Sequence, residues 1–584
     1  MTTEQKLSHY INKSDELIGR TFGKKIRIGI LCSFTINGLE ETIRVKSAEN
    51  NIDCVTYVGG YNQYNQEILN QESNLYKFSP YITFLIMDTR NILGDLFYLP
   101  YSVSVSERKN FVEKKLKEIQ NLANTFTSRT KSKLVIANFT IPTYSPHGIF
   151  ETKTEYGFHQ MINDLNRGLL DSFVNSNSIY VYDFNGFVSR YGEDNIFDYK
   201  QFFFGDMKIS LDYIPYMAND LMGYVIGYLG LSKKCIVLDL DNTLWGGIIG
   251  EDGLNGIKLG PEPPGNTYLE FQRVLLSLYQ RGIILAINSK NNFEDAIKVI
   301  KEHPYMILRE EHFASMRINW NDKVSNIQEI ANELNINPDS MVFFDDDQVN
   351  REFMKLNMPQ VLTIDLPKDS SQYAETIKTM NDFNVLNITT EDTSRGKMYV
   401  DQRKRNDLEQ SAPNLESFLK NLELKIRIKN ADEFTIPRIS QLTLKTNQFN
   451  LTTKRYQESD IKKFCEDDRY FVGTAQVEDK FGDNGITGIF IVNKSKSKEW
   501  FIDTFLLSCR IMGREVEKVM LGYIINKAKE NGVEIIKAKF IPTQKNKPIE
   551  TFLPNCGFHK DGDYWNYSIK TQFTTPDYLT VYVE

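Results

Sequence analysis

Two aspartates, Asp239 and Asp241, stand two residues apart in the segment CIVLDLDNTLW that begins at Cys235. An apolar strand that stops there delivers both carboxylates onto the loop past its end. One carboxylate can attack phosphorus and form an aspartyl-phosphate. The other can protonate the leaving oxygen and then deprotonate water. Their mutual repulsion requires a cation, and Mg²⁺ suits all-oxygen ligands together with phosphate. Three further elements follow in order. Ser289 comes after GIILAIN and can donate to a phosphoryl oxygen. Lys323, in RINWNDK, can balance the charge on a phosphorylated aspartate. Asp345, Asp346 and Asp347 follow MVFF. Asp345 or Asp346 can complete a metal site with Asp239 and Asp241, and Asp347 can cap the next helix. Chemistry at such a site is mainly positioning and charge neutralisation.

The elements that must position these groups are strands and helices in alternation. Cys235 to Leu240, Ile283 to Asn288 and Met341 to Phe344 read as strands, separated by helical patterns near Tyr268 to Gln280 and Asn292 to Glu302. That alternation predicts a parallel sheet with ligands at the carboxyl ends of its strands. About 48 residues separate Asp241 from Ser289 and about 34 separate Ser289 from Lys323. Scaffolding uses most of both intervals, which leaves little room for a large lid.

An earlier series of the same kind has strands at Ile26 to Leu31, Ile82 to Met87, Lys133 to Asn138 and Ser178 to Tyr182. Ser33, Asp88 and Asp183 fall at its strand ends. A polar helical stretch from Thr389 to Asn414 leads to a last, strand-rich part. There Leu424 to Ile428, Tyr470 to Val477, Ile486 to Val492, Trp500 to Leu507 and Ile535 to Phe540 read as strands of a mixed sheet, with a helix from Glu515 to Glu530.

A chain of 584 residues exceeds what one core usually serves, so three domains are expected. With a net charge of −7 and no basic stripe, nucleic acid is not an expected partner. The six cysteines lack ligand spacing, which points to free thiols in a reducing, cytoplasmic setting. The polar N-terminus does not read as a signal peptide. No apolar run reaches the roughly 20 residues of a membrane span. His147, His159, His303, His312 and His559 show no ligand spacing. Trp245 and Trp320 flank the aspartate and lysine motifs, where they can shape the cleft or pack the loops.

The segments CIVLDLDNTLWGGIIGEDGLNGIKLG, FASMRINWNDKVSNIQEIA, VFFDDDQVNRE, LTLKTNQFNLTTKRY and FLLSCRIMGREVE resemble the FkbH-like subfamily of the haloacid dehalogenase superfamily over nearly the whole chain. The resemblance implies an α/β protein of three domains. An SGNH-hydrolase-like doubly wound sheet would span residues 1–230, and a capless haloacid dehalogenase (HAD) core residues 231–390. A linker helix and an acetyltransferase-like (GNAT) mixed sheet would span 391–584. It further implies a Mg²⁺-dependent phosphatase coupled to acyl transfer in polyketide-type biosynthesis. Relatives take the glyceryl unit of 1,3-bisphosphoglycerate and deliver it to an acyl carrier protein thiol. A plain phosphatase and a carrier-protein-binding scaffold are the alternatives. This chain reads Asn288-Ser289-Lys290-Asn291 where relatives tied to glyceryl transfer commonly read CSKN.

The flanking domains carry further candidates. Ser33 takes the place of an SGNH nucleophile, but DYKQFFFGDMKIS lacks the expected histidine, and a serine without a base is a poor nucleophile. A docking or lid domain is therefore expected, with Tyr57 to Gln66 as a recognition surface or an ordinary loop. In the last domain, Arg510, Gly513 and Arg514 lie where an acetyltransferase binds pyrophosphate at a helix start. Glu515 replaces the final small residue there, so a carrier-borne phosphopantetheine arm fits better than coenzyme A. Cys509 beside these arginines is a candidate acyl-carrying thiol. Lys445 to Tyr456 reads equally as a cleft lining or as core.

Overall fold

Strands covered on both faces need continuous apolar runs, and such runs build two parallel sheets, which a third, mixed sheet follows among the described residues. In the computed structural model, residues 4–388 and 390–584 are described, except the side chains of Thr390, Glu391, Ser394, Asp407, Gln410, Leu415, Lys445 and Cys509. The chain divides into two units, the first running to Lys233 and including Glu375–Ile388, the second holding the remainder.

The first unit is built on β1 (Lys24–Cys32), β2 (Ile52–Val58), β3 (Ile82–Ile86), β4 (Lys133–Ala137) and β5 (Ile179–Tyr182). All are parallel, in the order β2-β1-β3-β4-β5. Alternate residues feed two apolar clusters, Ile28, Ile30 and Phe84 in one and Leu31, Leu85 and Leu134 in the other. That is the signature of a sheet covered on both faces. The sequence reading omits β2, and it assigns Glu375–Ile388 to the central domain. That segment packs instead on the helix Ile214–Leu229 of the first unit, where Asn381 donates to the Asn219 carbonyl at 2.7 Å.

The second unit holds two sheets. The central one comprises β6 (Cys235–Leu238), β7 (Ile284–Ser289), β8 (Phe313–Ile318), β9 (Met341–Phe344) and β10 (Leu362–Thr363), all parallel, in the order β10-β9-β6-β7-β8. Every residue of β6, β7 and β9 is buried. The chain leaves β6 toward β7 and later returns on its other side at β9. The carboxyl ends of β6 and β9 therefore flank a topological switch point. No large insertion follows β6 or β7: the first interval holds the helices Ile249–Gly256 and Gly265–Gln280, and the second the helix Phe293–Glu302 and β8.

The last sheet is mixed. It comprises β11 (Lys425–Asn430), β12 (Phe449–Asn450), β13 (Tyr470–Asp479), β14 (Gly482–Asn493), β15 (Glu499–Leu507), β16 (Ile535–Ala538), β17 (His559–Asp561), β18 (Tyr564–Ser568) and β19 (Thr580–Val583). β13, β14 and β15 run antiparallel, whereas β15 and β16 are parallel. The helix Thr390–Ser411 lies against β8 of the central sheet and β14 of the last one. It carries Arg405, whose guanidinium grips Asp479 through two bonds of 2.6 and 2.8 Å, both side chains almost fully buried. Removing one member of a buried pair strands the other charge. We expect Arg405→Ala to destabilise this unit by about 3 kcal/mol, and Arg405→Lys, which keeps a cation opposite Asp479, to cost less. Urea denaturation of the three proteins checks this.

Candidate active site

β6 ends at Leu238, and the N–H of Asp239 donates to the Phe344 carbonyl at 2.9 Å, joining the ends of β6 and β9. The loop beyond is tightly folded. Asn242 adopts a left-handed conformation and accepts from the Gly247 N–H at 2.8 Å. Gly247 is itself left-handed, and a Cβ there would lie 2.4 Å from the Asp252 carboxylate.

Lys323 opens the helix Lys323–Leu334, whose start is capped by Asp322 accepting from the Ser325 N–H. Its ammonium is 3% exposed, lies 2.9 Å from Asp239 Oδ2 and also bonds Asp345 Oδ2. Asn288 fixes where that helix begins. Its buried amide donates to the Lys323 carbonyl at 2.8 Å and accepts from Asn326 at 3.0 Å. Position 288 therefore faces the helix start and is sealed from solvent. Arg351 holds the acidic loop after β9 by donating to the carbonyls of Asp345 and Asp346, at 2.8 and 2.6 Å. Asp347 caps the next helix, accepting from the Val349 N–H at 2.9 Å.

Carboxylate oxygens of Asp239, Asp345 and Asp346 lie within 4.8 Å of one another. Among the described residues this is the one group of acidic, histidine or cysteine side chains close enough to hold a metal. Asp241, expected among the ligands, is turned elsewhere. Its Oδ1 accepts from Trp245 Nε1 at 2.8 Å and the Ile249 N–H at 3.1 Å, and its Oδ2 from Asn291 at 3.0 Å. Three donors outside the acidic cluster outcompete a place within it. Asn291 also donates to Ser289 Oγ at 3.2 Å. The indole of Trp245 is fully buried as part of this clamp, whereas Trp320 is 70% exposed and bonds Asn292.

The electrostatics follow from crowding in a dry site. Burial acts to lower Lys323, but Asp239 and Asp345 outweigh it and hold the ammonium above its usual range. Burial and then the Asp239 charge raise Asp345, with Lys323 opposing them. Burial, Asp239 and Asp345 together push Asp346 up to about 7. Burial also raises Asp241, against its three hydrogen bonds. Three carboxylates and one ammonium leave two negative charges uncompensated, the charge of one divalent cation. An all-carboxylate set of this kind fits a hard ion such as Mg²⁺.

The second candidate region, after β15, is arranged differently from expectation. The side chain of Cys509 lies outside the described residues. Gly513 is exposed and left-handed, at the end of a short turn. Arg510 reaches Met398 and Ser508. Arg514, expected to meet phosphate, is instead 5% exposed, donates to Gln402 at 2.9 Å and lies 3.5 Å from Asp479. Burial and the neighbouring Arg405 lower it to about 10 against the pull of Asp479. Glu515 bonds Lys518 and Tyr578. β15 and β16 pair only over Glu499–Ile502 and Ile535–Ala538, and beyond them β12 pairs with Leu506 and Leu507. Phe449, Asn450 and Leu451 are buried there, so that part of Lys445 to Tyr456 is core.

In the first unit, buried Ser33 accepts from the Asp88 N–H at 2.8 Å, and Asp88 is paired with Lys208 and, at 3.6 Å, with Arg90. In the stretch Tyr57 to Gln66, Tyr61 is exposed and bonds Asp206, whereas Tyr57 is half-buried and donates to Glu67. No helix among the described residues is long and apolar enough to cross a membrane.

Residues 27–226 match the family described as FkbH, N-terminal domain. Among solved structures, the chain is similar to the N-terminal part of the protein BF1531 from Bacteroides fragilis, which contains a phosphatase domain and was crystallised complexed with Mg. The two are 26% identical over 66% of this chain and 100% of that one, with a TM-score of 0.61. The ribosomal-protein-S18-alanine N-acetyltransferase from Escherichia coli matches 25% of this chain and 96% of its own, at 10% identity and a TM-score of 0.21. The putative acetyltransferase yncA from Salmonella typhimurium, solved with acetyl-CoA, matches 26% of this chain and 98% of its own, at 15% identity and a TM-score of 0.20. No curated protein matches the chain significantly. The first unit is thus similar to the FkbH N-terminal domain, and the chain as a whole is similar to a protein that contains a phosphatase domain.

The raised Asp346 sets a pH dependence. The folded protein keeps this proton up to about pH 7, whereas the unfolded chain releases it near 3.8. The metal-free protein should therefore lose stability as pH rises between those values. A divalent cation needs the deprotonated group, so its affinity should climb by about tenfold per pH unit below 7 and level off above it. Thermal melts with and without Mg²⁺ at pH 6 and pH 8 check this, with the larger Mg²⁺-induced rise in Tm expected at pH 8.

Proposed function

We propose that this chain is a Mg²⁺-dependent phosphatase coupled to acyl transfer: the thiol of an acyl carrier protein attacks the carbonyl of an acyl phosphate and displaces that phosphate, and the aspartate site removes the remaining phosphoester phosphate of the acyl unit. The observation that carries the phosphatase part is Lys323 bridging Asp239 and Asp345 beside Asp346. Asp239, Asp345 and Asp346 would hold the ion, as the magnesium in the similar Bacteroides protein supports. When bound, Mg²⁺ neutralises charge on the phosphoryl oxygens and orients them. Asp239 attacks phosphorus, and Lys323 balances the charge that builds on the attacking carboxylate. Ser289 donates to a phosphoryl oxygen. Asp241, raised by burial and clear of the metal cluster, protonates the leaving oxygen and then takes a proton from the incoming water. The absence of a large insertion after β6 or β7 suits a substrate delivered on a protein. The first domain would dock the carrier without chemistry of its own, since Asp88 beside Ser33 is engaged by Lys208 and Arg90. The sequence resemblance supports the acyl-transfer part.

A plain phosphatase is the second reading. It is favoured by the burial of Arg514 and by β12 occupying the edge of β15, on which an extended arm could otherwise pair. One experiment separates the two. The full chain, Mg²⁺, a carrier protein and 1,3-bisphosphoglycerate are incubated, and both released phosphate and the intact mass of the carrier are measured. The proposal expects carrier acylation that depends on this chain. Asp239→Asn should slow loss of the phosphoester phosphate on the order of a thousandfold or more, so that the carrier gains the phosphorylated acyl unit in place of the dephosphorylated one. Phosphate release without carrier acylation supports the plain phosphatase, and a dephosphorylated acyl unit that reaches the carrier as fast with Asp239→Asn contradicts both.

A further inference from the structure

We propose that Asn291 is a positioning residue that places the proton-carrying oxygen of Asp241 beside the phosphoryl group held by Ser289. This rests on the phosphatase reading above. The two oxygens of Asp241 are not equivalent. Oδ1 accepts from the Trp245 indole at 2.8 Å and from the Ile249 N–H at 3.1 Å. Both partners are donors only, so a proton on Oδ1 would face two hydrogens. The proton of the acid form therefore belongs on Oδ2, which is the oxygen Asn291 contacts at 3.0 Å.

The amide nitrogen of Asn291 faces Asp241 and donates one hydrogen to Oδ2. The same nitrogen donates its other hydrogen to Ser289 Oγ at 3.2 Å. A hydroxyl that accepts in this way points its own hydrogen elsewhere, free for a phosphoryl oxygen. Asn291 is 5% exposed and Ser289 1%, so water competes little for these bonds. One side chain thus sets the spacing between the group that gives the proton and the group that holds the phosphate.

The step it serves balances as follows. An Asp239 oxygen bonds to phosphorus as the bond from phosphorus to the leaving oxygen breaks. The leaving oxygen takes the proton from Asp241 Oδ2. Asp241, now a carboxylate, takes a proton from the water that opens the aspartyl-phosphate. A basic alkoxide leaving group needs that proton, and a nitrophenolate needs it far less. The value of correct placement therefore grows with the basicity of the leaving group.

The test uses the full-length protein with Mg²⁺, an alkyl ester (glycerol 3-phosphate) and an aryl ester (p-nitrophenyl phosphate). For Asn291→Ala, kcat on the alkyl ester should fall at least about ten times further than kcat on the aryl ester. KM should change by less than about threefold on either, since the groups that hold the phosphoryl remain. Equal losses on the two esters, or a loss confined to KM, would overturn the proposal. If the alanine variant does not fold by circular dichroism, Asn291→Ser is measured by the same criterion. Wild-type protein that hydrolyses neither ester would instead remove the phosphatase reading, and the inference with it.

Discussion

Like charges crowded into a dry space constrain everything around them. Here the carboxylates of Asp239, Asp345 and Asp346 converge, and a single buried ammonium, Lys323, lies between two of them. The cluster is tenable only because its backbone is held from outside. Arg351 fixes the carbonyls of Asp345 and Asp346, and Asn288 fixes the helix start that presents Lys323. The charge left over after Lys323 matches a divalent cation, so the site is built to be completed by one.

The same crowding explains how two aspartates in one tripeptide take different roles. Asp239 is drawn to Lys323, whereas Asp241 is turned away by the Trp245 indole, the Ile249 N–H and the Asn291 amide. Asp239 keeps its carboxylate against the Lys323 ammonium, where the proposed attack on phosphorus needs it. The other is insulated and raised by burial, which suits proton transfer. The sheet supplies the placement, since β6 and β9 end side by side at the switch point and β7 delivers Ser289 next to them.

Much of this was legible in the sequence. Continuous apolar runs such as CIVL and MVFF, set between helical patterns, read as buried parallel strands, and chemistry-bearing residues at their ends read as site residues. β8 escaped because Ser315 and Arg317 interrupt its run, with Ser315 meeting Glu333 and Arg317 pairing with Glu329. The carboxylate of Asp241 lies outside the acidic cluster because the Trp245 indole, the Ile249 N–H and the Asn291 amide hold it, and the last of these is fifty positions away in the chain. The polar run that follows Ser289 was the available signal for Asn291. Arg514 looked like a phosphate ligand from its local motif. Its burial arises from Gln402, on the helix Thr390–Ser411, and from Asp479, and local spacing cannot encode those contacts.

In the proposed reaction Asp239 carries phosphate during turnover. Rapid quenching of the Asp241→Asn protein with Mg²⁺ and p-nitrophenyl phosphate, followed by peptide mapping, tests it most directly. That change slows the opening of the intermediate by water and lets it accumulate. Phosphate is expected on the Asp239 peptide, removable by hydroxylamine. Phosphate on another residue, or turnover with no covalent phosphate at all, would contradict it.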